Sequence, residues 1–370
     1  METRMHAALL EAPAEPLRLY DDIEIRPPRT GEVRVRVSYC GVCHSDLSIV
    51  DGTFPSPLPI VLGHEASGVV DAVGDGVADL AVGDHVVLTP IPPCGACYWC
   101  LRGEPGVCAN AAGIQTNTFR DGTTGLSRGD TTVYRGVGVA AFAEHVVTLA
   151  SGAVRIPSDV PLDVACVIGC AVQTGVGAVL NTAKVEPGAT VLVMGLGGIG
   201  LSIVQGARLV GASRLVVSDP VKARRDAALR LGATDAVDPA AEDVVSRVHA
   251  LTGVGADYAF DAVGRSALVS AGVAATRPGG TTVCVGAAPI DEAITIMPAA
   301  LFTVQEKKVV GCALGGANSL RDVPRLVALW QAGRLDLEAL VTSRRPLDEI
   351  NDAFDDLRAS RGIRTVLDCG

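Results

Sequence analysis

Positive charge is in short supply in this chain. Lys and Arg number 31 against 41 Asp and Glu, for a formal net charge of -10 and a pI of about 5.1. A nucleic-acid binder needs a basic face to displace phosphate counterions, so that partner is not expected. Long hydrophobic runs are missing too. The opening stretch METRMHAALLEAPAEP carries charges and prolines, and it reads as neither a signal peptide nor a membrane span. No membrane partner is expected, and the expected location is the cytoplasm. Low-complexity tracts and short-period repeats are absent. Charged residues are only 19% of the chain against 48% hydrophobic, a balance that excludes a disordered chain and predicts a sizeable core. A length of 370 residues suits two domains better than one.

What is plentiful is cysteine. There are 11, an odd number, and reduced cytosolic thiols that cluster point to metal before disulfides. Cys94, Cys97, Cys100 and Cys108 are spaced C-x2-C-x2-C-x7-C. Four thiolates brought together suit tetrahedral Zn with no open position, the mark of a structural site. The spacing leaves a metal-free loop and an iron–sulfur cluster as alternatives, while a nucleic-acid-binding zinc ribbon conflicts with the acidic chain. Three further pieces are GVCHSD with Cys43, GHE with His64 and Glu65, and GCAVQTG with Cys170. Two cysteines and a histidine leave a fourth position on Zn for water or substrate, as a catalytic site requires. Each piece alone reads as an ordinary packing residue. Their joint occurrence with the four-cysteine loop carries the assignment.

The first 150 residues alternate apolar and polar positions between turn signals, as in GEVRVRVSYCG from Gly31 and GDHVVLTPIPP from Gly83. They read as β-strands in a partly closed structure. The pattern changes near residue 170. From Ala189 an apolar strand runs into the glycine turn GLGGIG and then a helix, with Ile199, Ile203, Ala207 and Val210 expected on one face. RLVVSD is a second strand ending at Asp219, and further strands alternate with helices to about residue 315. Such alternation predicts a doubly wound parallel sheet. Two helical stretches and a final strand, RTVLDC, are expected after it. Gly195, Gly197 and Gly200 follow a strand, open a helix and precede Asp219 by about 20 residues, the context of a dinucleotide fingerprint. The glycines let the backbone approach a pyrophosphate at the helix N-terminus. Asp219 is placed to accept hydrogen bonds from ribose hydroxyls and to repel a 2′-phosphate.

Together these motifs resemble the zinc-containing alcohol dehydrogenases of the medium-chain dehydrogenase/reductase family, over nearly the whole chain and in family order. The resemblance implies an α/β protein with a GroES-like catalytic domain, residues 1–171 and 315–370. A Rossmann NAD-binding domain, residues 172–314, lies between the two pieces. It implies two Zn2+ per chain. Cys43, His64 and Cys170 are the catalytic ligands, and Cys94, Cys97, Cys100 and Cys108 the structural ones. Asp46 resembles the carboxylate that orients the histidine ligand. Glu65 resembles the carboxylate behind the metal, and Ser45 the hydroxyl that takes the alcohol proton. His44 and Arg364 resemble pyrophosphate contacts, and Thr174 a nicotinamide neighbour. Gly198, Ile199, Arg224, Val263 and Val285 complete the NAD contacts expected. The implied partners are an alcohol or aldehyde and a second copy of the chain, with a tetramer as the alternative.

Three positions depart from the liver-type pattern. Ser48 stands where a histidine ends the proton relay. Pro90 replaces a Phe of the substrate pocket, and Phe54 is a candidate to refill that space. Ala112 replaces the arginine by which glutathione-dependent formaldehyde dehydrogenases grip a carboxylate. The expected activity is therefore NAD-linked interconversion of a medium-sized primary alcohol, aromatic ones included, and its aldehyde. The runner-up is a thiol-adduct-dependent formaldehyde dehydrogenase, and the rival from another class is a zinc- and nucleotide-binding regulator without catalysis.

Overall fold

A computed structural model of the protein describes residues 3–370. The chain divides into two compact units. The first runs to Cys170 and takes up again at Asn318–Gly333 and Val341–Gly370; the second is Ala171–Ala317 with Arg334–Leu340.

The first unit is built on β-strands. Thr3–Leu10, Arg18–Ile25, Leu126–Arg128, Thr131–Arg135 and Ile60–Val61 close into a five-stranded barrel. A seven-stranded sheet has the long strand Glu32–Gly41 as its spine. Val33, Val35 and Val37 on that strand are fully buried while Arg36 is exposed, the period-two pattern of a strand with one face on the core. The spine pairs antiparallel with Glu65–Val73 on one edge. On its other edge it pairs with His145–Leu149 and then with Arg364–Asp368.

The register of these ladders sets where three polar side chains lie. Gly41 lies opposite Glu65 and Val366 opposite Gly41. Continued past the strand end, that register brings Cys43, His64 and Arg364 to one end of the sheet. Cys43 then caps the short helix His44–Val50.

The second unit is a six-stranded, wholly parallel sheet. In chain order its strands are Thr190–Met194, Arg214–Ser218, Asp235–Val237, Ala256–Asp261, Thr276–Cys284 and Lys308–Gly311, and in space they run 3-2-1-4-5-6. Val191, Leu192, Val193, Val216 and Val217 are all buried at 2% exposure or less, as central strands covered on both faces require.

Three expectations need correction. The helix after the glycine turn, Gly198–Val210, is buried nearly all round from Gly200 to Ala207 rather than along one stripe, and Ile199 and Val210 are only partly buried. It packs against the sheet on one side and the helix Ala171–Gly177 on another. The return to the first unit comes at Asn318 rather than 315, and Arg334–Leu340 belongs with the second. Gln205 holds it there, its side chain bonding both the N–H of Asp336, at 2.7 Å, and its carbonyl, at 3.0 Å. Finally, Val341–Pro346 is a strand parallel to Arg364–Asp368. Its VTSRRP sequence is charged because it is an edge strand whose alternate residues are exposed.

Candidate active site

Among the described residues two groups of Cys and His side chains converge, each with all ligand atoms within 4.8 Å of one another. The first is Cys43, His64 and Cys170, all buried. Asp46 is wholly buried behind it. Its Oδ1 accepts the Gly63 N–H at 2.9 Å and faces His64 Nδ1 at 3.1 Å. A carboxylate only accepts, so Nδ1 carries the proton and Nε2 is left as the ligand atom. The hydrogen bond from Cys170 is the largest influence on Cys43. Burial works against the charge, but that bond and the neighbouring His64 hold Cys43 well below an ordinary thiol. Cys170, as the donor and buried, is held well above. Two sulfurs and an imidazole in a buried pocket are a donor set suited to zinc. Ser45 Oγ lies 3.9 Å from Cys43 Sγ, beside the cluster.

Glu65 and Arg364 form a buried ion pair at the same sheet end. Arg364 Nε lies 3.1 Å from Glu65 Oε1, with side-chain exposures of 4% and 0%, and Nη1 donates to the Val42 carbonyl. Burial disfavours the guanidinium charge, but Glu65, Cys43 and Cys170 outweigh it and raise Arg364 above its ordinary value. The sequence reading puts Arg364 on a pyrophosphate. In the structure its side chain lies against Glu65, where it balances the negative charge that gathers around the thiols. His44 starts the adjoining helix and is exposed.

The second group is Cys94, Cys97, Cys100 and Cys108, which ranges from exposed to buried. Backbone N–H groups point at its sulfurs. Cys97 donates to Cys94 Sγ at 3.3 Å, Cys94 to Cys108 Sγ at 3.4 Å and Ala109 to Cys97 Sγ at 3.5 Å. The Ala109 bond leads in pulling Cys97 down to about 6. Four sulfurs brought together with backbone amides facing three of them are a donor set suited to a thiophilic cation.

In the second unit the three glycines divide the work of the turn. Gly195 has φ +88, and a Cβ there would meet Val263 Cγ2 at 2.3 Å. At Gly200 a Cβ would fall 1.8 Å from the Gly195 carbonyl oxygen, whereas at Gly197 it would meet nothing within 4 Å. The first glycine lets the turn pass close to Val263, and the third lets the helix close on the turn. The second is the N-cap of Gly198–Val210 and leaves its backbone open to an anion. Asp219 closes the neighbouring strand, its two oxygens accepting Leu196 N–H and Val221 N–H, each at 2.8 Å. Val263 and Val285 follow the fourth and fifth strands, at the carboxyl edge where open α/β sheets take ligands. Gly198 and Thr174 are buried, and Ile199 and Arg224 are partly exposed. Asp261 escaped the sequence reading. It is 1% exposed and its carboxylate accepts the N–H groups of Val263, Gly264 and Arg265 at 2.9 to 3.2 Å, so it shapes that edge. The signal was an acidic residue ending a buried strand, in FDAVG.

The comparisons with known proteins agree with this geometry. A family model described as alcohol dehydrogenase GroES-like domain matches residues 29–158, and one described as zinc-binding dehydrogenase matches 198–330. An alcohol dehydrogenase zinc-binding domain protein from Burkholderia ambifaria is 34% identical, with a TM-score of 0.94 and 100% of both chains covered. The chain belongs to the zinc-containing alcohol dehydrogenases of the medium-chain family. Benzyl alcohol dehydrogenase from Acinetobacter calcoaceticus is a further relative of this dehydrogenase, 31% identical with a TM-score of 0.94 over 100% of both chains. A zinc-binding dehydrogenase from Sinorhizobium meliloti 1021, solved bound to NADP, is 28% identical with a TM-score of 0.81 over 99% of both chains. The dehydrogenase is thus an oxidoreductase of a family that binds zinc and a nicotinamide cofactor. Its described residues contain no single helix long and apolar enough to cross a membrane.

Proposed function

We propose that this chain is an NAD-linked alcohol dehydrogenase with two Zn2+ ions, acting on medium-sized primary alcohols, aromatic ones included, and their aldehydes. The observation that carries the reading is the Cys43–His64–Cys170 cluster, whose three donor atoms leave a fourth position beside the Ser45 hydroxyl. These residues would hold the catalytic zinc, and the four-cysteine loop the structural one. When bound, the metal supplies Lewis acidity at the substrate oxygen, and the nicotinamide accepts or gives the hydride. Asp46 fixes the tautomer and tilt of His64. Glu65, held by Arg364, puts a negative charge behind the ligands. Ser45 takes the hydroxyl proton of the alcohol and returns it in the reverse direction. Ser48 is no base near neutral pH, so the proton leaves by way of water, with His44 kept for the pyrophosphate.

Two points support the substrate class. Pro90 is smaller than the Phe it replaces, with Phe54 as the candidate to refill part of that space. The benzyl alcohol dehydrogenase at 31% identity favours an aromatic substrate. For the cofactor, a 2′-phosphate beside Asp219 would put two charges about 4 Å apart, a repulsion of roughly 4 kcal/mol at an effective dielectric of about 20. The test is one panel of benzyl alcohol, ethanol and formaldehyde plus a thiol, each with NAD and NADP. Benzyl alcohol with NAD should be fastest, and Asp219→Gly should narrow the cofactor preference. Turnover confined to formaldehyde with a thiol, or faster with NADP, would overturn the reading. A homodimer is part of the proposal, checked by light scattering.

A further inference from the structure

Asp261 ends the fourth strand of the parallel sheet, Ala256–Asp261, and its two ends tie together two turns. The carboxylate accepts the N–H groups of Val263, Gly264 and Arg265 in the turn that follows. The backbone carbonyl accepts the N–H groups of Val285 and Gly286, each at 2.9 Å, in the turn after the fifth strand. Five backbone donors thus converge on one residue.

The two turns meet at close quarters. A Cβ on Gly286 would lie 2.1 Å from the Gly264 nitrogen, and one on Gly264, at φ +85, would lie 2.5 Å from the Ala287 carbonyl carbon. On the other side, the Ala262 N–H donates to the Met194 carbonyl at 2.9 Å, and Val263 lies over Gly195, the first glycine of the fingerprint. Residues 262–264 are therefore wedged between the ends of the first and fifth strands. Val263 still has 48% of its surface exposed, an apolar side chain open at the edge where such sheets take ligands.

Stability does not explain the carboxylate. Burial outweighs the pull of the three N–H groups and holds its carboxyl above the ordinary value, so at neutral pH the charge costs the fold rather than supporting it. What the carboxylate does supply is order in a turn that would otherwise move as a surface loop. We propose that Asp261 is a positioning residue for the nicotinamide cofactor, pre-organising the turns 262–264 and 285–287 so that binding pays no ordering cost there. At 1% exposure it acts through those turns and not by touching the cofactor. The inference rests on the reading of the second unit as the NAD site.

The test joins amide hydrogen exchange to fluorescence titration with NADH, both on the zinc-loaded protein. In wild type the five amides should exchange slowly before NADH is added and change little afterwards. Asp261→Asn keeps the size but turns an NH2 group toward N–H donors. In that variant the amides of residues 263–265 should exchange about tenfold faster without NADH. The Kd for NADH and the KM for NAD should each rise about tenfold, while the KM for benzyl alcohol at saturating NAD moves less than about twofold. A merely structural role would lower the thermal midpoint and leave both cofactor constants alone. An unchanged Kd for NADH in folded Asp261→Asn would overturn the proposal. If the variant does not fold, wild-type exchange decides alone, and five amides that exchange fast until NADH arrives would overturn it. Wild type that binds neither NADH nor NADPH would refute the cofactor reading and this inference with it. Binding of NADPH in place of NADH would refute only the choice of cofactor, and the same titration with NADPH then decides the role of Asp261.

Discussion

The two cysteine clusters are made of similar atoms and built in opposite ways. The four-cysteine loop spans 15 residues, lies largely at the surface and draws its N–H donors from its own backbone. Local sequence suffices to assemble it. Cys43, His64 and Cys170 are spread over more than a hundred residues and buried; the ladder between Glu32–Gly41 and Glu65–Val73 brings the first two together, and Cys170 joins them from the end of the helical turn Cys166–Gly169. Their surroundings are charged side chains, Asp46, Glu65 and Arg364, rather than amides. A closed set of thiolates holds a metal for stability, whereas an open, charge-tuned set exposes one coordination position to chemistry.

The comparison breaks most visibly if one cysteine is removed from each cluster. Cys43→Ser should lose one zinc and cut turnover about a thousandfold or more, the loss of several kcal/mol of Lewis-acid stabilisation, with the thermal midpoint little changed. Cys97→Ser should lose the other zinc and lower the midpoint by several degrees. Metal analysis, calorimetry and steady-state kinetics on both variants check the pair. Full activity in Cys43→Ser would remove it from the catalytic site.

A finer division lies among the hydroxyls of the helix that Cys43 caps. Ser45→Ala should lower kcat about a hundredfold, the scale of a lost proton-transfer group, and Ser48→Ala should change it little. Ser48→His should speed alcohol oxidation below neutral pH by ending the relay at a base. A pH–rate profile of the three variants separates these outcomes, and a severe loss in Ser48→Ala alone would reverse the roles.

The smallest expected effect concerns the carboxylate behind the histidine. Asp46→Asn keeps the size and an acceptor but removes the charge, and metal affinity at the buried cluster should fall roughly 10- to 100-fold. Competition with a chromophoric chelator reads it. The four-cysteine loop has no such carboxylate, so its zinc should leave at the same chelator concentration in variant and wild type.

Sequence alone determined the four-cysteine loop and the glycine turn, because both are short-range devices. Spacing and backbone freedom are written in consecutive residues, and the positive φ of Gly195 or the crowding at Gly200 has no other cheap solution. It also determined the alternation that makes one unit β-rich and the other a parallel sheet. The tertiary structure decided what depends on register and burial. It put Arg364 on Glu65, gave Asp261 its three backbone N–H groups and turned a charged stretch at Val341–Pro346 into an edge strand. It also buried Arg135 against the Phe119 ring. A charged residue read in sequence is by default a solvated surface group. Only the packing of distant segments around it removes the water and decides which partner replaces it.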